Sequence, residues 1–174
     1  MDLAADYIED VIVQFERIKA HGDKAVAQVS DDELTRVLDP ESNSIAIIMR
    51  HVGGNLRSRF TDFLTTDGEK PSRHRDGEFE LPDAASRDAI VNDWNGGFEC
   101  LFAALKQLKP ADVDRDVRIR GERLSVVQAL NRSMTHTASH VGQIVWLAKH
   151  LRSTNWKTLS IPRGQSEQFK PGGR

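Results

Sequence analysis

Four stretches of this chain repeat apolar residues at steps of three and four, the spacing of one helix face, and nothing reads as a central strand. The first runs from about Leu3 to Val29, with Tyr7, Ile8, Val11, Phe15, Ile18 and Ala25 on the stripe. Ser44 is placed to cap a second, from Ile45 to about Leu64, whose inner face carries Ile45, Ile48, His51, Val52, Asn55, Leu56 and Phe63. A third starts between Pro82 and Ser86 and runs to about Leu108 through Ile90, Trp94, Phe98, Leu101 and Leu105, with Lys109-Pro110 ending it. The fourth is capped by Ser125 and runs from Val126 to about Leu151. Four amphipathic helices of roughly 20 residues or more predict an all-α fold, a four-helix bundle forming one domain over residues 1–174.

The connections refine that picture. SDDELTRVLDPESNS has room for one helical turn before Pro40 stops it. Thr65 to Pro82 is polar and rich in Gly, Pro and charge, a loop long enough for a crossover between the second and third helices. Around Val117 and Ile119 the pattern alternates briefly, as in a small extended excursion. From Ser153 to the end Pro162 and Pro171 break any helix, so residues 153–174 form an irregular tail. Trp156, Leu159 and Ile161 are expected to pack its front on the body. Gly53-Gly54 costs the second helix roughly 1 kcal/mol per glycine relative to alanine, which points to close packing or a needed gap.

Charge excludes some functions. The 24 basic and 26 acidic residues leave a net charge of −2, without the basic excess of a nucleic-acid binder. The longest apolar runs, such as Ile45 to Met49 and Cys100 to Leu105, are far too short to span a bilayer. MDLAADYIED lacks the basic start and apolar stretch of a signal peptide, so no membrane partner and a cytoplasmic location are expected. The single cysteine, Cys100, lies beside Leu101 and Phe102 and reads as a small core residue.

The histidines carry the chemistry. His74 sits in a charged loop, His150 at a helix end and His21 at the tail of the first helix, and all three read as solvated. His136 and His140 differ: their i, i+4 spacing puts both rings on the face that also carries Val126, Ser133 and Ile144. Two imidazoles so spaced can share an ion bound at about 2.0–2.1 Å. Such pairs arise easily on exposed helices, but His51 lies on the buried stripe of the second helix and adds a third ring. Three histidines from two helices leave positions open for water or substrate, as catalytic sites do and closed structural sites do not. Asn55, one turn after His51, and Gln143, near His140, are candidates for supporting the ligands or facing the substrate. Imidazole and water suit Zn²⁺, Ni²⁺, Fe²⁺ or Mn²⁺. There is no HExxH, no Glu-x-x-His pair of the di-iron kind, no phosphate loop and no nucleophile elbow.

SIAIIMRHVGGNLRSRF with its histidine, and SMTHTASHVGQIVWLAKHL with its HxxxH, resemble the DinB-like (YfiT-like) superfamily of bacterial metal-binding four-helix bundles. The segment NWKTLSIPRGQSEQF is similar to the closing part of one uncharacterised branch. The resemblance implies His51, His136 and His140 as ligands of one divalent metal ion. It also implies a small-molecule substrate, with metal-dependent transfer of a low-molecular-weight thiol or hydrolysis as the activity. A non-catalytic, stress-associated metal-binding or interaction protein is the alternative. Members often pair into homodimers, which is expected here too.

Overall fold

In the computed structural model, which describes residues 2–82 and 85–168, side chains at the element ends stop and start the helices. Asp2 Oδ1 accepts the Ala4 and Ala5 N–H groups at 3.1 and 3.3 Å and opens α1, Leu3–Val26. Ser30 and Glu33 satisfy each other's backbone N–H and start the short α2, Asp31–Thr35, the turn expected before Pro40. Ser44 caps α3, Ile45–Phe60, accepting the Ile47 N–H at 3.2 Å. Ser86 caps α4, Arg87–Gln107, and Ser125 caps α5, Val126–Arg152. Among the described residues the protein is mostly helical, with five α-helices and one small sheet.

Helix α3 is shorter than its stripe suggests. Thr61 is extended and Asp62 has φ 48°, a left-handed turn that aspartate tolerates, so Phe63 is buried from the loop beyond the helix. Nor is α3 one-faced. Ile45 to Met49 are all buried along with His51, Val52, Asn55 and Leu56, because the helix has neighbours on both flanks.

The packing runs α1–α5–α3–α4 and returns to α1. Tyr7 donates to Asn131 at 2.8 Å and Gly22 lies against Val141, so α1 and α5 run in the same direction. Arg50 and Arg57 reach Asp93, Gly53 touches Gly97 and Thr61 meets Cys100, so α3 and α4 also run parallel. Trp94 donates to Asp23 at 2.8 Å and the Lys19 ammonium lies over Phe98, which sets α4 antiparallel to α1. Parallel neighbours need a connection that returns the length of the pair, and the segment between Phe60 and Arg87 is the expected crossover. Phe15, Phe98 and Trp94 lie fully buried between the helices. Burying a large apolar side chain of this kind stabilises by roughly 1.5–3 kcal/mol.

The extended excursion is a complete hairpin. β1, Asp116–Ile119, pairs antiparallel with β2, Glu122–Ser125, in the register Val117↔Leu124 and Ile119↔Glu122. Arg120 and Gly121 form its two-residue turn, both with positive φ (55° and 76°), as a type I′ turn requires. Asp67 of the crossover accepts the Arg120 and Gly121 N–H groups at 2.8 and 2.7 Å and fixes the hairpin to the end of α3. In the tail, Trp156 and Leu159 pack on the core, and Lys157 exchanges backbone hydrogen bonds with the Gln28 side chain at 2.8 and 3.0 Å. Ile161 does not follow them: it is exposed, so the packed front of the tail ends at Leu159. Pro171 lies outside the described residues. Among the described residues no helix is long and apolar enough to cross a membrane.

Candidate metal centre

His51 on α3 faces His136 and His140 on α5 where those two helices pack. Each of the three rings offers a nitrogen within 4.8 Å of the others. The Nε2 atoms of His51 and His140 approach His136 Nε2 to 3.3 and 3.2 Å. A metal bond of about 2.0–2.1 Å in tetrahedral geometry holds neighbouring nitrogens about 3.3–3.4 Å apart, the separation of these two pairs.

The outer nitrogens show why the three Nε2 atoms turn inward. The Glu78 carboxylate can only accept, so at 2.9 Å it fixes the proton of His51 on Nδ1. Gln143 Oε1 does the same for His140 Nδ1 at 2.9 Å. Both rings therefore direct Nε2 lone pairs at His136. One N–H on His136 Nε2 would serve only one of them, whereas a cation between the rings would satisfy all three. The donor set fits a divalent ion, with a carboxylate and an amide orienting two of the ligands. The third is less supported: His136 Nδ1 is buried with no hydrogen-bond partner among the described residues.

Electrostatics favour neutral rings at His136 and His140. Burial foremost, then the nearby His140 and His51, pushes His136 down to about 4. Burial also lowers His140, against the opposing hydrogen bond of Gln143. For Glu78 burial alone would raise the pKa; hydrogen bonds from His51 and Arg73 outweigh it and hold the carboxyl below its ordinary value. Arg73 clasps that carboxylate through Nε and one Nη, each at 2.8 Å, and its own side chain is only 4% exposed. The group that orients His51 is thus itself held in place.

Each residue singled out in the sequence has a place in this geometry. Gln143 supports His140. Asn55 is buried beside a cavity of about 200 Å³ that His51, His136 and Ser133 also line. His21, His74 and His150 are exposed and apart from the three rings, and His150 stacks on Trp146. Cys100 is half-buried between α3 and α4, away from the histidines.

Glu78 and Arg73 were missed, because they sit in the crossover, where no periodicity marks a side chain as inward. The available signal was Phe79 and Leu81, two apolar residues inside a charged loop. A 3-10 turn at Asp76–Phe79 lays Phe79 against His51, with ring centroids 4.8 Å apart, and brings Glu78 with it. Also missed were the arginines of the cavity: Arg59, Arg73, Arg75, Arg120 and Arg132 all line it, and among the described residues no carboxylate does.

The sequence pattern of a family described as protein of unknown function, DUF1572, matches residues 2–165. The chain belongs to that family. The DUF1572 match contains the three histidines, Glu78, Gln143 and all five arginines. No curated protein matches the chain.

Proposed function

We propose that this protein is a metal-dependent enzyme on a DinB-like four-helix bundle, with His51, His136 and His140 holding one divalent ion. The observation that carries the reading is the convergence of three Nε2 atoms, two pairs at 3.2–3.3 Å, with two of the rings locked in the tautomer that a metal needs. Three protein ligands leave room for substrate, the hallmark of catalytic rather than structural sites. When bound, such an ion is a Lewis acid that lowers the pKa of a thiol or water beside it. Around it, Glu78 and Gln143 hold ring orientation, while Asn55 and Ser133 are placed to meet a substrate in the cavity.

Within this reading a low-molecular-weight thiol is favoured over water as the nucleophile. Glu78 is the carboxylate at the rings, and it is committed to both His51 and Arg73, so it is not free to act as a general base. A thiol acidified at the site needs no such base. The DinB-like resemblance supports the same activity, and a twofold homodimer besides. Light scattering tests the dimer, a mass near 19.5 kDa being the result that removes it.

The deciding experiment is metal analysis of the purified, untagged chain after chelation and reloading with Zn²⁺ or Ni²⁺. One ion per chain near neutral pH is expected, followed by metal-dependent reaction of a cellular thiol with a generic electrophile. Failure to retain any ion overturns the metal centre. Full metal with no thiol-dependent change in a Co²⁺-substituted spectrum and no thiol turnover overturns the transferase reading and leaves a hydrolase or a non-catalytic metal-binding protein.

A further inference from the structure

The cavity beside His51 and His136 has an unusual wall. It is about 200 Å³, below the range of pockets that enclose drug-sized ligands, so it admits a small group or one end of a molecule. Five arginines line it, and their charge is only partly answered from behind. Glu69 takes Arg59 at 2.8 Å, Arg120 at 3.1 Å and Arg73 at 3.5 Å; Glu78 takes Arg73, Asp76 takes Arg75 at 3.7 Å, and Glu122 takes Arg132 at 2.8 Å. Each guanidinium has five N–H donors in a fork, so these contacts leave Arg120 and Arg132 with donors to spare. Both side chains are about half exposed, at 54% and 51%.

Two further polar residues stand on the same wall. Ser133 Oγ is buried with no hydrogen bond among the described residues. Asn55, only 8% exposed, presents its amide-bearing side chain to the same cavity. Buried polar groups are nearly always paired, so an unpaired hydroxyl in the lining of an arginine-rich cavity marks a place for something polar from outside.

We propose that this cavity binds the anionic end of the substrate, a carboxylate or phosphate, and so brings the attached reacting atom to the histidine centre. The proposal rests on the metal-site reading for what happens next to the anion, but the anion site itself is built by other residues. Arg120 on the hairpin turn and Arg132 on α5 supply the charge, and Asn55 and Ser133 supply neutral hydrogen bonds deeper in. Arginine suits this role because its planar fork matches the two oxygens of such a group. The hairpin then has a purpose beyond joining α4 to α5: it carries Ile119 and Arg120 to the rim of the cavity.

Calorimetric titration with inorganic phosphate and, separately, malonate tests this on the zinc-treated chain, with zinc counted in the same sample. At least one probe is expected to bind once per chain, more weakly as salt rises. The double variant Arg120→Gln, Arg132→Gln should lose about tenfold or more in that affinity while holding the same zinc. Arg132→Lys, which keeps charge without the fork, should fall between them. Binding of phosphate alone or malonate alone identifies the kind of anion. The proposal is overturned if neither probe binds, or if the double variant binds as tightly as the parent. A chain that holds no zinc but still binds anions through these arginines refutes the metal centre and leaves the anion site standing.

Discussion

The Glu78 carboxylate fills the space that a side chain on Gly54 would need, and from there it accepts the His51 Nδ1–H at 2.9 Å. The second glycine of the Gly53-Gly54 pair is therefore a gap left for an orienting carboxylate. Gly54→Ala is expected to displace Glu78 and weaken metal binding by about 10–100-fold, the usual cost of losing such a partner. Helix content should be unchanged. Glu78→Gln should act in the same direction. Competition with a chelator of known affinity, beside circular dichroism, checks both; undiminished affinity in both variants would show that Glu78 does not support the ligand.

Gly53 serves packing instead. A Cβ there would lie 2.5 Å from the Asp93 carbonyl oxygen, and one on Gly97 would lie 2.6 Å from Gly53. Backbone cannot yield as a side-chain end can, so Gly53→Ala should destabilise by about 1–3 kcal/mol through overpacking. Gly54→Ala should cost less stability and more metal affinity. Urea unfolding of the metal-free proteins separates the two effects.

Replacing either proposed ligand on α5, His136→Ala or His140→Ala, should abolish stoichiometric metal without unfolding the chain, because the core between the helices is made by Phe15, Trp94, Phe98 and their neighbours. Metal analysis and a thermal melt of the metal-free variants check this. A variant that still holds one ion per chain would show that its histidine is not a ligand.

Acid should act on the metal-free protein through His136. Its folded-state pKa of about 4 lies below the ordinary 6.5, so the unfolded chain takes up the proton more readily. The stability tied to the neutral ring is complete above pH 6.5 and is lost as pH falls from there towards 4, by as much as about 3 kcal/mol. Below pH 4 no further loss comes from this residue. His136→Gln should flatten that stretch of the stability profile. Three ordinary histidines would release an ion as pH passes 6.5, but His136 and His140 are both held lower. Metal should therefore persist further into acid, which equilibrium dialysis across that interval would show.

Much of this was legible in the sequence, for physical reasons. Apolar spacing marked α1, α3, α4 and α5 because a helix must bury one stripe, and Ser44 and Ser125 marked the starts of α3 and α5 because orphan N–H groups need acceptors. His136 and His140 were legible as a pair from their spacing, and His51 from its place on a buried stripe. The support was less so. Gln143 lies one turn from His140 and could be named, whereas Glu78 reaches His51 from 27 residues away through an irregular loop. The arginines of the cavity come from α3, the crossover, the hairpin and α5, and no local pattern unites them. Ile161 misled because an apolar residue near a chain end need not be buried.

The parallel pairing of α1 with α5 and of α3 with α4 also bears on how the chain reaches its native state. Neighbours that run in the same direction lie far apart along the polypeptide, so few of the contacts between long helices form by local zipping. Helical proteins usually fold fast because their contacts are local. Here the search must close long loops first, and refolding should be slower than that of a bundle of simple hairpins of the same length. Until it finishes, the unfolded chain offers an ion only His136 and His140 on a nascent helix, with His51 and its carboxylate still elsewhere. Tight metal retention should therefore arrive with the last phase of refolding and can serve as its clock.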